Sequence, residues 1–125
     1  MVVDFIKSGN PDCPILRMYG NESNDYKILI NEIGMLIDGI KTQVNVTSLK
    51  NFLSDSKVEL ILEFGKNDNG VVTKDEKKFT CSLTIEKWKN IRDKLISFNK
   101  LISGTHQWLD ETSEISWLVS VNGKW

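Results

Sequence analysis

Residues 84–104 read Thr-Ile-Glu-Lys-Trp-Lys-Asn-Ile-Arg-Asp-Lys-Leu-Ile-Ser-Phe-Asn-Lys-Leu-Ile-Ser-Gly. Ile85, Trp88, Ile91, Leu95, Phe98 and Ile102 recur every three or four positions, so a helix would gather them into one apolar stripe. Thr84 stands where an N-cap hydroxyl can accept from the first turn's free N–H groups. Leu83 and Trp88 hold the two positions of a hydrophobic staple. Glu86 lies in the first turn, where the helix dipole favours an acid. Gly104 can stop the helix in the left-handed conformation. The stripe spans about two and a half heptads, short of the ~3–4 that a coiled coil needs. A helix over 85–102 is therefore expected to lay its stripe on a sheet.

The flanking sequence supplies that sheet. At 58–64, Val58, Leu60, Leu62 and Phe64 alternate with Glu59, Ile61 and Glu63, the period-two pattern of a strand with one packed face. Residues 77–83 repeat it, with Phe79, Cys81 and Leu83 inward, and 65–70 is a turn. A C-terminal hairpin is expected, with arms at 106–109 and 114–121. Strands are also expected at 2–6 and 14–19, separated by a turn over 8–12, and at 26–30, where Tyr26, Ile28 and Ile30 alternate with Lys27 and Leu29. Asp38-Gly39 is a hairpin-turn signal, which predicts strands at 33–37 and 40–46; a short helix over 31–37 is the rival. Thr47 and Ser48 predict a short helix to Leu53, with Leu49, Phe52 and Leu53 inward. The fold class is thus α+β: a single domain over 1–125, mainly antiparallel sheet packed against one long helix (about 85–102) plus one short helix.

The 125 residues suit one domain. Apolar residues make up 40% and charged residues 26%, ordinary globular usage that speaks against disorder. Sixteen basic and seventeen acidic side chains give a net charge of -1, which lacks the basic excess of a nucleic-acid binder. Charge is nevertheless uneven: residues 74–100 carry eight Lys or Arg against four acids, and residues 20–38 carry four acids against one Lys. No apolar run approaches the ~18–20 residues of a membrane span, and the N-terminus has no secretory pattern. Two cysteines, neither in a CxxC, do not make a disulfide scaffold. The expected location is the cytoplasm, with reduced thiols.

Chemistry-bearing constellations are few. His106 with Asp110, Glu111 and Glu114 forms H-x-x-x-D-E-x-x-E, one imidazole among acids, where transition metals need three or four well-placed ligands. Cys81 with His106 and Asp110 is the one combination of types that could make a thiol nucleophile, but Cys81 falls on the inward face of its strand. Cys13 has no neighbour in sequence that would lower its pKa. Phosphate-loop, dinucleotide, zinc-protease and nucleophile-elbow motifs are absent. No metal and no cofactor is expected. Trp88 and Trp117 are expected in the core; Trp108 and Trp125 are less obliged to be buried.

These observations lead to an expectation of a non-catalytic protein-binding domain with no catalytic residues, shaped like a small bacterial immunity or inhibitor protein that neutralises a toxin by direct contact. The partner would be a protein, a basic toxin domain being the natural complement, with no nucleic acid and no membrane involved. The expected contact residues are Trp108, Asp110, Glu111 and Glu114, carboxylates around an aromatic anchor. The alternatives are a small enzyme using Cys81 or the His106 region, and a structural or accessory subunit.

Overall fold

The computed structural model describes residues 1–10, 13–100 and 105–125. In chain order they form β1 (Val2–Asn10), β2 (Cys13–Tyr19), α1 (Ser23–Ile37), β3 (Gln43–Asn45), a 3₁₀ turn (Val46–Ser48), β4 (Leu53–Ser54), β5 (Glu59–Phe64), β6 (Gly70–Thr73), β7 (Lys78–Leu83), α2 (Ile85–Lys100), β8 (His106–Asp110) and β9 (Ser116–Ser120). The class is α+β, as the alternating and helical periods predict.

The strands make two sheets rather than one, in the orders β4-β1-β2-β9-β8 and β3-β5-β7-β6. Both are mixed. β1 with β4, β2 with β9 and β5 with β7 run parallel; the other four pairs run antiparallel. Side-chain alternation is the same in parallel and antiparallel strands, so an expectation of mainly antiparallel pairing had no means of detecting the parallel joints. One isolated bridge, Val71 to Ile115, ties the two sheets together.

A single apolar cluster draws on both sheets and both helices. The first sheet contributes Val3, Leu16, Met18, Trp117 and Val119, and the second Val44, Leu60, Leu62, Phe79 and Cys81. Phe5 stacks on Phe79 across the gap, ring centroids 4.8 Å apart. α2 behaves as its stripe predicts: Trp88, Ile91, Leu95 and Phe98 are buried. Trp88 meets Trp117 edge-on at 6.2 Å, and its indole N–H donates to the Glu63 carbonyl at 3.0 Å. The Lys87 N–H donates to the Thr84 hydroxyl at 3.4 Å, the N-cap bond. The expected end of this helix, at Ile102 and Gly104, lies outside the described residues, as do Pro11 and Asp12 of the expected 8–12 turn.

Residues 23–37 depart from the strands expected there, and the rival helix over 31–37 is the second half of a longer one. The strands at 26–30 and 33–37 are instead one helix, α1, burying Tyr26, Leu29, Ile33 and Leu36. That is a period near 3.6, which the five-residue window at 26–30 is too short to separate from alternation. Asp38-Gly39 is the helix end, not a hairpin turn. Gly39 sits at φ +74, its N–H donates to Leu36 O at 3.2 Å, and the Ile40 N–H donates to Met35 O at 2.9 Å. These paired bonds around a left-handed glycine are the Schellman stop, which demands the same positive φ as the hairpin turn.

The short helix expected over 47–53 shrinks to the 3₁₀ turn. The Thr47 hydroxyl donates to Asn45 Oδ1 at 2.8 Å instead of capping a helix. The Leu53 N–H is then drawn to Met1 O at 2.8 Å, into parallel pairing with β1. Phe52 is buried as expected, whereas Leu53 is exposed. Phe64, expected inward, is 50% exposed at the end of its strand. No helix among the described residues is long and apolar enough to cross a membrane.

Candidate functional site

The turn at 110–114 joins β8 to β9 and is held from inside. The Asp110 carboxylate, 2% exposed, accepts from the Thr112 N–H at 3.3 Å and the Thr112 hydroxyl at 2.6 Å. An Asp bonding two residues onward is an Asx turn, which fixes the local backbone. The Ser113 hydroxyl donates to Val71 O at 2.6 Å and accepts from the Ile115 N–H at 3.2 Å, bolting the turn to β6. Gly70 makes the approach possible: a Cβ there would lie 2.9 Å from Asp110 Oδ2 and 2.9 Å from Ser113 N, and its φ is +74.

The four expected contact residues therefore divide. Glu111 and Glu114 are exposed on the turn, and Trp108 is half-buried beside it with His106 stacked edge-on at 6.1 Å. Asp110 belongs to the turn's interior, so its carboxylate shapes the loop and is not displayed to a partner. An open hollow of about 350 Å³ is lined by Trp108, Asp110, Glu111 and Thr112 from this side, and by Lys87 and Lys94 from α2. Lys94 Nζ donates to Leu109 O at 3.4 Å. The sequence reading missed these two lysines. They are seven apart, so on a helix they lie on one line two turns long, and that spacing was the available signal.

The groups considered for catalysis are not assembled. Cys81 is fully buried mid-strand on β7, and burial first, then the nearby Asp110 carboxylate, pushes its thiol well above the usual range. His106 is exposed at the opposite end of β8 from Asp110, about 13 Å away at a strand's rise. Among the described residues no group of three His, Cys, Asp or Glu side chains is placed to hold a metal ion.

A different constellation occupies the outer face of the five-stranded sheet. Ile15 and Leu118 are fully buried yet stand outside the core cluster. On the same face, by strand register, lie Asp4, Arg17 and Trp108. Arg17 Nε donates to Asp4 Oδ1 at 2.9 Å and Nη1 to Gly123 O at 2.7 Å, while its guanidinium lies 4.5 Å from the Tyr19 ring centroid and 5.9 Å from that of Trp125. Arg17 thus clasps the segment after β9 onto the sheet, which leaves Trp125 40% exposed.

No protein-family model matches the chain, and neither the curated proteins nor the solved structures contain a match to it.

Proposed function

We propose that this chain is a non-catalytic protein-binding domain, an inhibitor of the immunity type, which acts in the bacterial cytoplasm by covering a basic toxin domain. The observation that carries the reading is the turn at 110–114, where Glu111 and Glu114 are exposed on a backbone already fixed by Asp110, Ser113 and the Gly70 contact. A preorganised loop loses little conformational entropy on binding, and exposed carboxylates beside an aromatic side chain speed encounter with a basic surface and slow release. The burial of Cys81, and the placement of His106 at the opposite end of β8 from Asp110, support a reading without a thiol nucleophile. The net charge of -1 supports a protein partner rather than nucleic acid.

The test is charge reversal at the two exposed acids. Partner captured on the wild-type chain from its source cells is identified, purified and titrated by calorimetry at low salt. The Glu111→Lys, Glu114→Lys double variant is expected to lose at least about tenfold in affinity, with an unchanged urea midpoint. Unchanged affinity would remove the turn from the interface. The Cys81→Ser and His106→Ala variants are expected to bind as wild type; loss of function in both while folded would overturn the non-catalytic reading.

A further inference from the structure

Lys27 on α1 and Lys100 on α2 line the same open groove, a hollow of about 430 Å³ between the two helices. Two side chains of one sign on a shared groove repel each other, and the groove gains by taking up negative charge. Its walls include Ile30 and Ile96, both half-buried. At Lys27 the groove continues into a second hollow of about 400 Å³ that reaches Lys50. No Asp or Glu is among the described residues lining either hollow. The acids that α1 does carry are engaged elsewhere: Asp25 receives the Met1 amino group at 3.0 Å, and Glu32 receives Lys41 at 2.6 Å. Asn99, in the groove wall, keeps its Oδ1 sealed from water with no donor among the described residues.

We propose that the groove between α1 and α2 docks an acidic, amphipathic segment of a partner protein. Apolar side chains of the segment rest on Ile30 and Ile96, and its carboxylates meet Lys27, Lys50 and Lys100. Nucleic acid would satisfy the lysines but gain nothing from the isoleucines, whereas a helix with apolar residues at i, i+3 and i+4 uses both. This surface is distinct in place and opposite in charge from the turn at 110–114, and it stands whether or not that turn binds a toxin.

The test uses the full chain to select from a displayed library of random peptides roughly sixteen residues long, four to five helical turns. Enriched peptides are expected to be acidic, with apolar residues at helical spacing. They should shift the backbone amide resonances of Lys27, Ile96 and Asn99, and bind the Lys27→Glu, Lys100→Glu double variant at least about tenfold more weakly. Lys27→Gln with Lys100→Gln, which removes charge without reversing it, should fall between. Circular dichroism confirms that both variants fold. No enrichment, enrichment without acidic bias, or equal binding by the reversed variant would overturn the proposal. So would tighter binding of a short DNA duplex at the same amides. A wild-type dimer in light scattering that the reversed variant breaks would place a second copy of this chain on the groove, and would also overturn it.

Discussion

The two helices, 15 residues in α1 and 16 described residues in α2, pack against each other with Tyr26 and Phe98 ring centroids 5.6 Å apart, yet they are anchored by different means. α2 carries its own cap at Thr84 and an unbroken apolar stripe. α1 begins at Glu22 with no side-chain cap bond. Its first turn is held instead by groups from elsewhere. The Met1 amino group, wholly buried, donates to Asp25 at 3.0 Å and to Asn51 O at 2.8 Å. The Tyr26 hydroxyl donates to Gly20 O at 2.5 Å, and burial followed by the Asp25 charge pushes that phenol far above its ordinary range, so it remains a donor. α2 carries its cap and stripe in its own sequence, with Asp68 and Glu63 adding longer-range bonds, whereas the start of α1 depends on contacts that exist only once the chain has closed on itself.

That contrast can be broken most sharply at Asp25. Asp25→Asn removes the carboxylate from a buried ion pair and leaves the amine without its counter-charge, and the expected loss is about 3–5 kcal/mol. A urea melt showing less than about 1 kcal/mol would mean that the long-range pair does not anchor α1. Leu95→Ala tests the stripe of α2; a buried leucine truncated to alanine is expected to cost about 2–5 kcal/mol. A loss below about 0.5 kcal/mol, the size of a surface change, would sink the core assignment. Thr84→Ala removes the local cap and is expected to cost about 1 kcal/mol, and the corresponding change at Glu22 should cost nothing measurable, since no cap bond is made there.

The smallest measurable effect is pH-dependent and concerns how α2 starts. The Asp68 carboxylate accepts from the Thr84 N–H at 2.8 Å and from the Thr84 hydroxyl at 2.9 Å. The backbone bond first, then the hydroxyl and Lys87, hold this carboxyl below its ordinary value. A carboxyl lowered in the folded state contributes stability above the unfolded-state value, about 3.9, and that contribution is lost as pH falls through the lower folded value. Asp68→Asn is therefore expected to be slightly less stable than wild type at neutral pH and to converge with it in acid. A difference independent of pH would assign the effect to shape, not charge.

The acidic turn shows where legibility stops. Its residues were readable as a cluster, because Asp110, Glu111 and Glu114 follow an aromatic side chain within seven positions. Which of them faces solvent was not readable. Asp110 turns inward because β6 arrives beside it at Gly70, a neighbour forty positions away in sequence. The same limit hid the α1–α2 groove, since Lys27 and Lys100 share a surface only after the helices pack.

By itself the amino-acid order determined whatever depends on nearest neighbours along the chain. That covers α2 and its cap, the strands at 58–64 and 77–83, the C-terminal hairpin, the α+β class and the near-neutral charge. These signals are local because hydrogen bonds, caps and side-chain periods act over a few residues. The tertiary structure alone decided that the helix read as a rival over 31–37 extends back to Ser23 in place of a strand at 26–30, that the strands divide into two mixed sheets, and that Asp110 is interior while Glu111 and Glu114 are displayed. Each of these rests on burial or pairing between distant segments: Met1 with Asp25, β2 with β9, Gly70 with the 110–114 turn. Their free energy appears only when the chain closes, so a short window of sequence carries no trace of it.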